Sequence, residues 1–353
     1  MDQDRPPAHS RDRLLECTRY GADAHGLICG YRFADPLAPA EALDSDEAAR
    51  WLAQAGAPDG GAGFAWLHFN LAHAGAERWL RRHAGLPEAF FDTLHDGQHS
   101  TRIERDAHAL IAVINDVQFD FAFESSDIAT LWIGVDRRLV VTARQSPLRS
   151  VDRLRTAIKR GETMRSTTEL LERLLRAQAD VLVDVVRGVT RRIDGLEDDL
   201  LAGKLDHKRT RLGVLRRLLV RLQRLLAPEP AALFRLLQRP PAWMAEGDVD
   251  ELRQACEEFP VALRDMAALQ ERTKLLQEEI AAAVNEGTGR SLYVLTIVTV
   301  LALPINILAG LFGMNVGGIP LAENPHGFWI LVALVGAFTV FAGWLAWRAG
   351  RER

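Results

Sequence analysis

Residues 291–312 read SLYVLTIVTVLALPINILAGLF, a run with no Asp, Glu, Lys or Arg, and the charge-free stretch continues to residue 322. A helix rising 1.5 Å per residue needs about 20 apolar residues to cross a hydrocarbon core ~30 Å thick. The run meets that length. A second follows at 328–347, with Trp344 and Trp347 near its end, where amphipathic rings favour the membrane–water interface. One such run could be the core helix of a soluble protein; two in succession predict a pair of transmembrane helices. The connection 313–327 holds no Lys or Arg, whereas Arg290 precedes the first span and Arg348, Arg351 and Arg353 follow the second. The positive-inside bias then places both termini in the cytoplasm, with 348–353 as a short tail.

Averaged over its whole length, the chain has the composition of a soluble protein. With 353 residues, 48% of them hydrophobic, and 43 Lys+Arg against 47 Asp+Glu, it is long enough for about two domains and a substantial core. A mean hydropathy of −0.05 averages over two very different parts. The net charge of −4 argues against nucleic acid as the main partner. Cys17, Cys29 and Cys256 lie far apart with no CxxC pair, so they specify neither a disulfide framework nor a zinc knuckle and fit a reducing compartment. Residues 1–13 are polar where a signal peptide would need an apolar run, so no export signal is expected there.

Periodicity divides the segment ahead of the first span. Up to residue 160, β-rich runs at 63–69, 107–117, 128–135 and 139–143 alternate with helical stretches at 44–54 and 74–84, which predicts a cytoplasmic α/β domain. From 161 to 290 the pattern is helical and predicts a stalk. Within 167–200, Leu170, Leu174, Leu175, Val181, Leu182 and Val185 recur at helical spacing, and a second helical stretch covers 208–238. From Asp248 the pattern runs on into the first span, which suggests one helix of about 65 residues, bent at Pro260 and hinged at Gly287 and Gly289. Residues 208–224 carry seven bases and no acid, and 248–286 carry ten acids and four bases. The basic helix is expected to pair with its acidic neighbour, in the same chain or in a copy.

Polar groups inside a membrane need a partner, water or an ion. In the first span Thr296, Thr299, Leu303, Asn306 and Gly310 share one helical face, a candidate pore lining. The plainer reading is hydrogen bonding and close packing against a neighbouring helix. One such face per chain cannot enclose a path, and the second span offers only Thr339, so a pore requires a ring of identical chains. Gly313-Met314-Asn315 follows the span directly, then Val316-Gly317-Gly318-Ile319-Pro320.

That tripeptide, ending the first of two C-terminal spans behind a large α/β domain and long stalk helices, resembles the CorA superfamily of divalent-cation transporters. Val316 to Pro320, Leu311-Phe312 and the segment Trp66-Leu67-His68-Phe69-Asn70 are similar to its ZntB branch of zinc transporters. Magnesium-type members usually have an aromatic residue after the Asn and a Met-Pro-Glu run; here Val316 and Gly317-Gly318 stand instead. The resemblance implies an inner-membrane, funnel-shaped homopentamer carrying Zn2+, with first helices lining the pore, second helices outside, and Gly313, Met314 and Asn315 at the outer entrance. It also suggests proton coupling.

Neutral amide and carbonyl oxygens at such a mouth can exchange with the water around a divalent ion without holding it too tightly. The first span has no Cys, His, Asp or Glu, so the residues alone leave zinc, magnesium, cobalt and nickel open. Glu323 and His326 in the outer loop could attract cations or couple protons, or be ordinary solvated residues. His68 and His73 are candidates for a regulatory metal site, set against the commoner case of satisfied histidines near a core. His95-Asp96-Gly97-Gln98-His99 reads as a surface turn, because Gly97 weakens the helix a zinc pair would need. No nucleophile elbow, phosphate loop or dinucleotide fingerprint occurs, so an enzyme is not indicated, and no resident cofactor is expected. The expected partners are membrane lipid, the transported cation and further copies of the chain. A membrane-tethered scaffold is the rival from another class.

Overall fold

Runs rich in β-branched and aromatic residues set seven strands: β1 (Leu27–Phe33), β2 (Glu41–Leu43), β3 (Phe64–Asn70), β4 (Arg102–Asp106), β5 (Ala109–Val117), β6 (Ile128–Val135) and β7 (Leu139–Arg144). The computed structural model describes residues 21–55, 63–96, 101–106, 108–124, 126–202, 208–314 and 324–351. The strands form one sheet in the order β2-β1-β3-β7-β6-β5-β4. β3 and β7 pair in parallel; the other neighbours are antiparallel. β5 and β7 are buried along their whole length, so both faces of the sheet must be covered.

Helices α1 (Ser45–Ala55), α2 (Ala76–His83) and α3 (Glu88–His95) cover one face. Leu67, Phe69, Val141, Ile111, Val113 and Trp132 pack there against Trp79, Leu80, Phe90 and Phe91. Trp132 Nε1 donates to the carbonyl of Thr93 at 3.0 Å, which satisfies a buried indole and ties β6 to the end of α3.

After α4 (Arg149–Lys159), the long helix α5 (Thr167–Leu201) covers the opposite face. Ser166 caps it, its hydroxyl accepting from the Glu169 N–H at 3.0 Å. Its apolar stripe, including Leu170, Leu174, Val181, Leu182 and Val185, is buried, each side chain contributing roughly 1.5–3 kcal/mol. The sheet and the helices through Gln277 therefore make one compact unit. The boundary expected near residue 160 marks a change of periodicity, because the apolar face of α5 is completed by the sheet.

One contact between α5 and the loop after β5 decides the sign of a substitution. Phe123 has a φ of 67°, its ring lies 2.6 Å from where a Cβ on Gly188 would stand, and Arg192 stacks on it at 3.8 Å. Alanine is normally better than glycine inside a helix by about 1 kcal/mol. Here the ring would have to move, an overpacking cost of roughly 1–3 kcal/mol. Gly188→Ala is therefore expected to lower the thermal midpoint, and a rise would mean that the ring yields at no cost.

Four further helices follow: α6 (Lys208–Leu226), α7 (Pro228–Gln238), α8 (Glu246–Cys256) and α9 (Phe259–Phe312). The single stretch expected over 208–238 is two helices, parted at Ala227, with Pro228 opening the second, where its missing N–H costs nothing. The long helix expected from Asp248, bent at Pro260, is present as the 67-residue stretch Glu246–Phe312, with a turn at Glu257 and Glu258 parting α8 from α9 and Pro260 in the first turn of α9. Gly287 and Gly289 lie within α9 without breaking it.

The expected pairing of the basic helix does not form within the chain. Leu212, Leu215, Leu218, Leu219 and Leu222 of α6 are buried, leaving Arg209, Arg211, Arg216, Arg217, Arg221 and Arg224 exposed. Among the described residues none of these arginines forms an ion pair; Arg216 Nη1 donates to Gln277 Oε1 at 3.3 Å. The acids of the 248–286 stretch have other partners or none: Glu251 binds Arg165 at 2.9 Å and Asp250 binds Arg253 at 2.7 Å.

The second unit, Glu278–Arg353, contains the C-terminal part of α9 and α10 (Gly327–Arg351). Both helices are long and apolar enough to cross a membrane, and the apolar windows that qualify them are not buried.

Candidate functional site

The polar row of α9 follows from its spacing. Thr296, Thr299, Leu303, Asn306 and Gly310 are all exposed along one side of the helix. Tyr293, Ile297, Leu301, Ile305 and Leu308, on the far side, are half-buried. On α10 the half-buried positions Gly327, Leu331, Val335 and Thr339 recur every four residues. Thr339 lies in that half-buried row with its hydroxyl donating to the Val335 carbonyl at 2.8 Å, so α10 contributes no comparable polar row.

Each hydroxyl in the row is already satisfied as a donor. Thr296 Oγ1 donates to the Leu292 carbonyl and Thr299 Oγ1 to the Leu295 carbonyl, both at 2.8 Å. The oxygens keep their acceptor lone pairs. With the Asn306 amide oxygen they make a line of neutral acceptors, and Gly310 leaves room beside it. Such a surface suits a cation that keeps most of its water.

Pro304 adds a feature that a search for polar side chains passes over. It lies inside α9 and has no N–H, so the Val300 carbonyl one turn earlier loses its helical donor. At membrane depth such a carbonyl is tolerated where protein or water reaches it. The readable signal is a proline inside a charge-free run.

The helix ends at Phe312, and the Gly313 N–H still donates to the Ala309 carbonyl at 2.9 Å. Met314 is exposed; Asn315, the following Val316 to Pro320, and Glu323 lie outside the described residues. His326 is exposed in the turn before α10, where its N–H donates to Asn324 Oδ1 at 2.9 Å.

The candidate metal pair is not assembled. His68, on β3, is buried with both ring nitrogens engaged: Nδ1 with Thr142 Oγ1 at 2.8 Å and Nε2 accepting from Arg144 Nε at 3.1 Å. A guanidinium only donates, so Nε2 is bare and Nδ1 carries the proton. Burial, then the charges of Arg144 and Arg155, hold its pKa well below the ordinary value and keep the ring neutral. Thr142 Oγ1 also accepts from Trp66 Nε1 at 2.8 Å, which completes a buried polar chain. His73 uses Nδ1 to accept from the Gly75 N–H at 3.2 Å. The two histidines thus serve the fold, and no cluster of three or more His, Cys, Asp or Glu with metal-binding geometry occurs among the described residues. His95 closes α3 and lies 3.0 Å from Glu77 Oε1, while Gly97 to His99 are outside the described residues.

Comparison with known proteins follows the same division. Residues 61–348 match the family described as CorA-like Mg2+ transporter protein. The divalent cation transporter CmaX of Pseudomonas aeruginosa is 29% identical over 282 residues, 79% of this chain and 85% of that one. The zinc transport protein ZntB of Pectobacterium atrosepticum is 24% identical over 288 residues, 82% and 87% of the two chains. The structure of full-length CmaX superposes with a TM-score of 0.74 at 28% identity, covering 93% of this chain and 99% of that one. The CorA magnesium transporter of Methanocaldococcus jannaschii shares the fold at 19% identity, with a TM-score of 0.73 over 90% of this chain and 96% of that one.

Proposed function

The chain belongs to the CorA-like Mg2+ transporter family, a membrane-bound divalent-cation transporter, and from that membership we propose that it moves Zn2+ through the centre of a homopentamer. The observation that carries the proposal is the exposed row of neutral acceptors on α9, Thr296, Thr299 and Asn306, on the side away from the helix's half-buried positions. A row that faces outward from one chain is an incomplete lining. Five copies of it close a path whose wall has no carboxylate, thiolate or imidazole to trap zinc.

The cation crosses largely hydrated and undergoes no chemical change. Gly313, Met314 and Asn315 form the outer mouth, Glu323 and His326 supply charge and a titratable group beside it, and both termini lie in the cytoplasm. Relatives named as zinc transport proteins, at 24–26% identity, favour zinc as cargo. The second reading, magnesium with cobalt and nickel, is favoured by the description of the matching family as a CorA-like Mg2+ transporter protein.

The test is flux into sealed proteoliposomes, zinc against magnesium, with and without an imposed proton gradient. Zinc flux that rises with the gradient is the expected result. Gradient-independent magnesium flux would move the cargo to the second reading, and no flux of any ion from well-inserted protein would overturn transport. His326→Ala is expected to flatten the pH dependence of uptake, and an unchanged dependence would remove His326 from the coupling.

A further inference from the structure

We propose that the basic groove between α6 and Gln277 of α9 binds an oligophosphate anion, a chain of phosphoryl groups supplied by a nucleotide or by inorganic polyphosphate. The groove lies within the first unit, and the proposal stands apart from the transport reading.

One face of α6 builds the groove. Leu212, Leu215, Leu219 and Leu222 are buried, which turns Arg217, Arg221 and Arg224 outward at steps of four and three along about 10 Å of helix. With Arg216, Val220, Gly213 and Gln277 they line a groove of about 510 Å³, within the range of roughly 300–1,000 Å³ that holds small ligands. Its lining contains no carboxylate. Arg217, Arg221 and Arg224 have neither an ion pair nor a hydrogen bond among the described residues. Like charges three and four residues apart on a helix repel one another, and a multivalent anion laid along the row turns that repulsion into attraction.

Gln277 closes the groove from α9. Arg216 Nη1 donates to Gln277 Oε1 at 3.3 Å, and a guanidinium only donates, so the amide presents Nε2 on its other side. Gln277 Nε2 and Arg217 Nη1 stand 3.9 and 3.8 Å from the place a Cβ on Gly213 would take. Two N–H donors therefore converge over a point of α6 that has no side chain, a cradle for one phosphoryl group. Arg221 and Arg224 continue the row, and their planar forks suit the oxygens of the next groups. A single small anion in the cradle would leave these two arginines unneutralised, so a chain of charges fits the row better. Val220, 47% exposed within the groove, offers an apolar contact to the rest of a nucleotide.

The test is isothermal titration calorimetry on the full-length protein in detergent, in buffers stripped of divalent cations. Inorganic tripolyphosphate and ATP are the probes, with orthophosphate and citrate as comparisons. One tripolyphosphate is expected per chain, bound at least tenfold tighter than orthophosphate or citrate. Its affinity should fall about tenfold or more between about 0.05 M and about 0.5 M salt. ATP bound more tightly than tripolyphosphate assigns the site to a nucleotide, and equal binding assigns it to the phosphate chain alone. Arg217→Gln with Arg221→Gln should weaken binding at least tenfold, whereas Arg209→Gln, exposed on α6 outside the groove, should leave it unchanged. Gln277→Glu keeps an acceptor for Arg216 and replaces the Nε2 donor with a carboxylate oxygen. It should weaken binding as strongly while the thermal midpoint stays at or above that of the wild type. Three results would overturn the site: no binding of tripolyphosphate, as when the arginines are merely solvated or another copy covers them; binding undiminished in the double variant; or orthophosphate or citrate bound equally well. None of them bears on cation flux, so the transport reading stands or falls separately.

Discussion

Glu229→Gln is expected to stabilise the protein on the order of 4 kcal/mol at pH 8 and to flatten its stability between about pH 5 and pH 8. Glu229 lies in the first turn of α7, fully buried, with Oε2 accepting from Gln178 Nε2 at 3.2 Å. Its Oε1 and the Oε1 of Gln178 have no hydrogen-bond partner, while Gln178 Nε2 also donates to the Asn115 carbonyl at 2.8 Å. Burial pushes the carboxyl up to about 8, the Gln178 bond pulls it down, and the nearby charge of Asp116 pushes it up again. A helix N-terminus favours a carboxylate by about 1 kcal/mol, less than the desolvation it opposes here.

The sign follows from linkage. Below the ordinary carboxylate value both folded and unfolded chains hold the proton. As pH rises toward 8 the unfolded chain releases it first, so wild-type stability falls across that window and levels off above it. A glutamine does not titrate, and its amide supplies a donor beside oxygens that lack one. Thermal midpoints of wild type and variant, measured side the same buffers from pH 5 to pH 9, should converge at the acid end and separate toward pH 8. Parallel curves would show that Glu229 titrates like an exposed carboxylate.

Asn306→Leu is expected to lower cation flux at least about tenfold while leaving the folded protein and its oligomeric mass intact. Asn306 supplies the amide in the exposed row of α9, between Thr299 and the close of the helix at Phe312. In the proposed pentamer, five leucines in its place would present a dry constriction, and removing roughly 1.4 kcal/mol of favourable contact to the hydrated ion already costs a factor of ten. Asn306→Gln retains the amide and should keep most of the flux. Equal loss in both variants would point to packing rather than to the amide, and no loss in either would remove the row from the pathway.

Much of this was legible in the residues because it depends on near neighbours. The two spans follow from missing charge over a fixed length, and the polar row from steps of three and four along one helix. The apolar stripe of α5 was readable for the same reason, and its structure matches the expected period from Thr167 to Leu201. The strands were only partly readable: β1 and the edge strands β2 and β4 carry no strong alternation of their own, and the sheet assembles them by pairing with β3 and β5. Pairing between distant segments leaves little local trace.

The sequence by itself determined that the chain crosses a membrane, that neutral oxygens line one face of the first span, and that bases and acids are segregated before it. Those are properties of composition and helical period. Only the tertiary structure decided what each polar group faces. It turned His68 from a candidate ligand into a neutral link between Thr142 and Arg144, buried Glu229 between α5 and the α8 region, and set the arginines of α6 facing outward without acids to meet. Hydration and charge pairing depend on which surfaces meet across tens or hundreds of residues, and that is fixed by packing rather than by order along the chain.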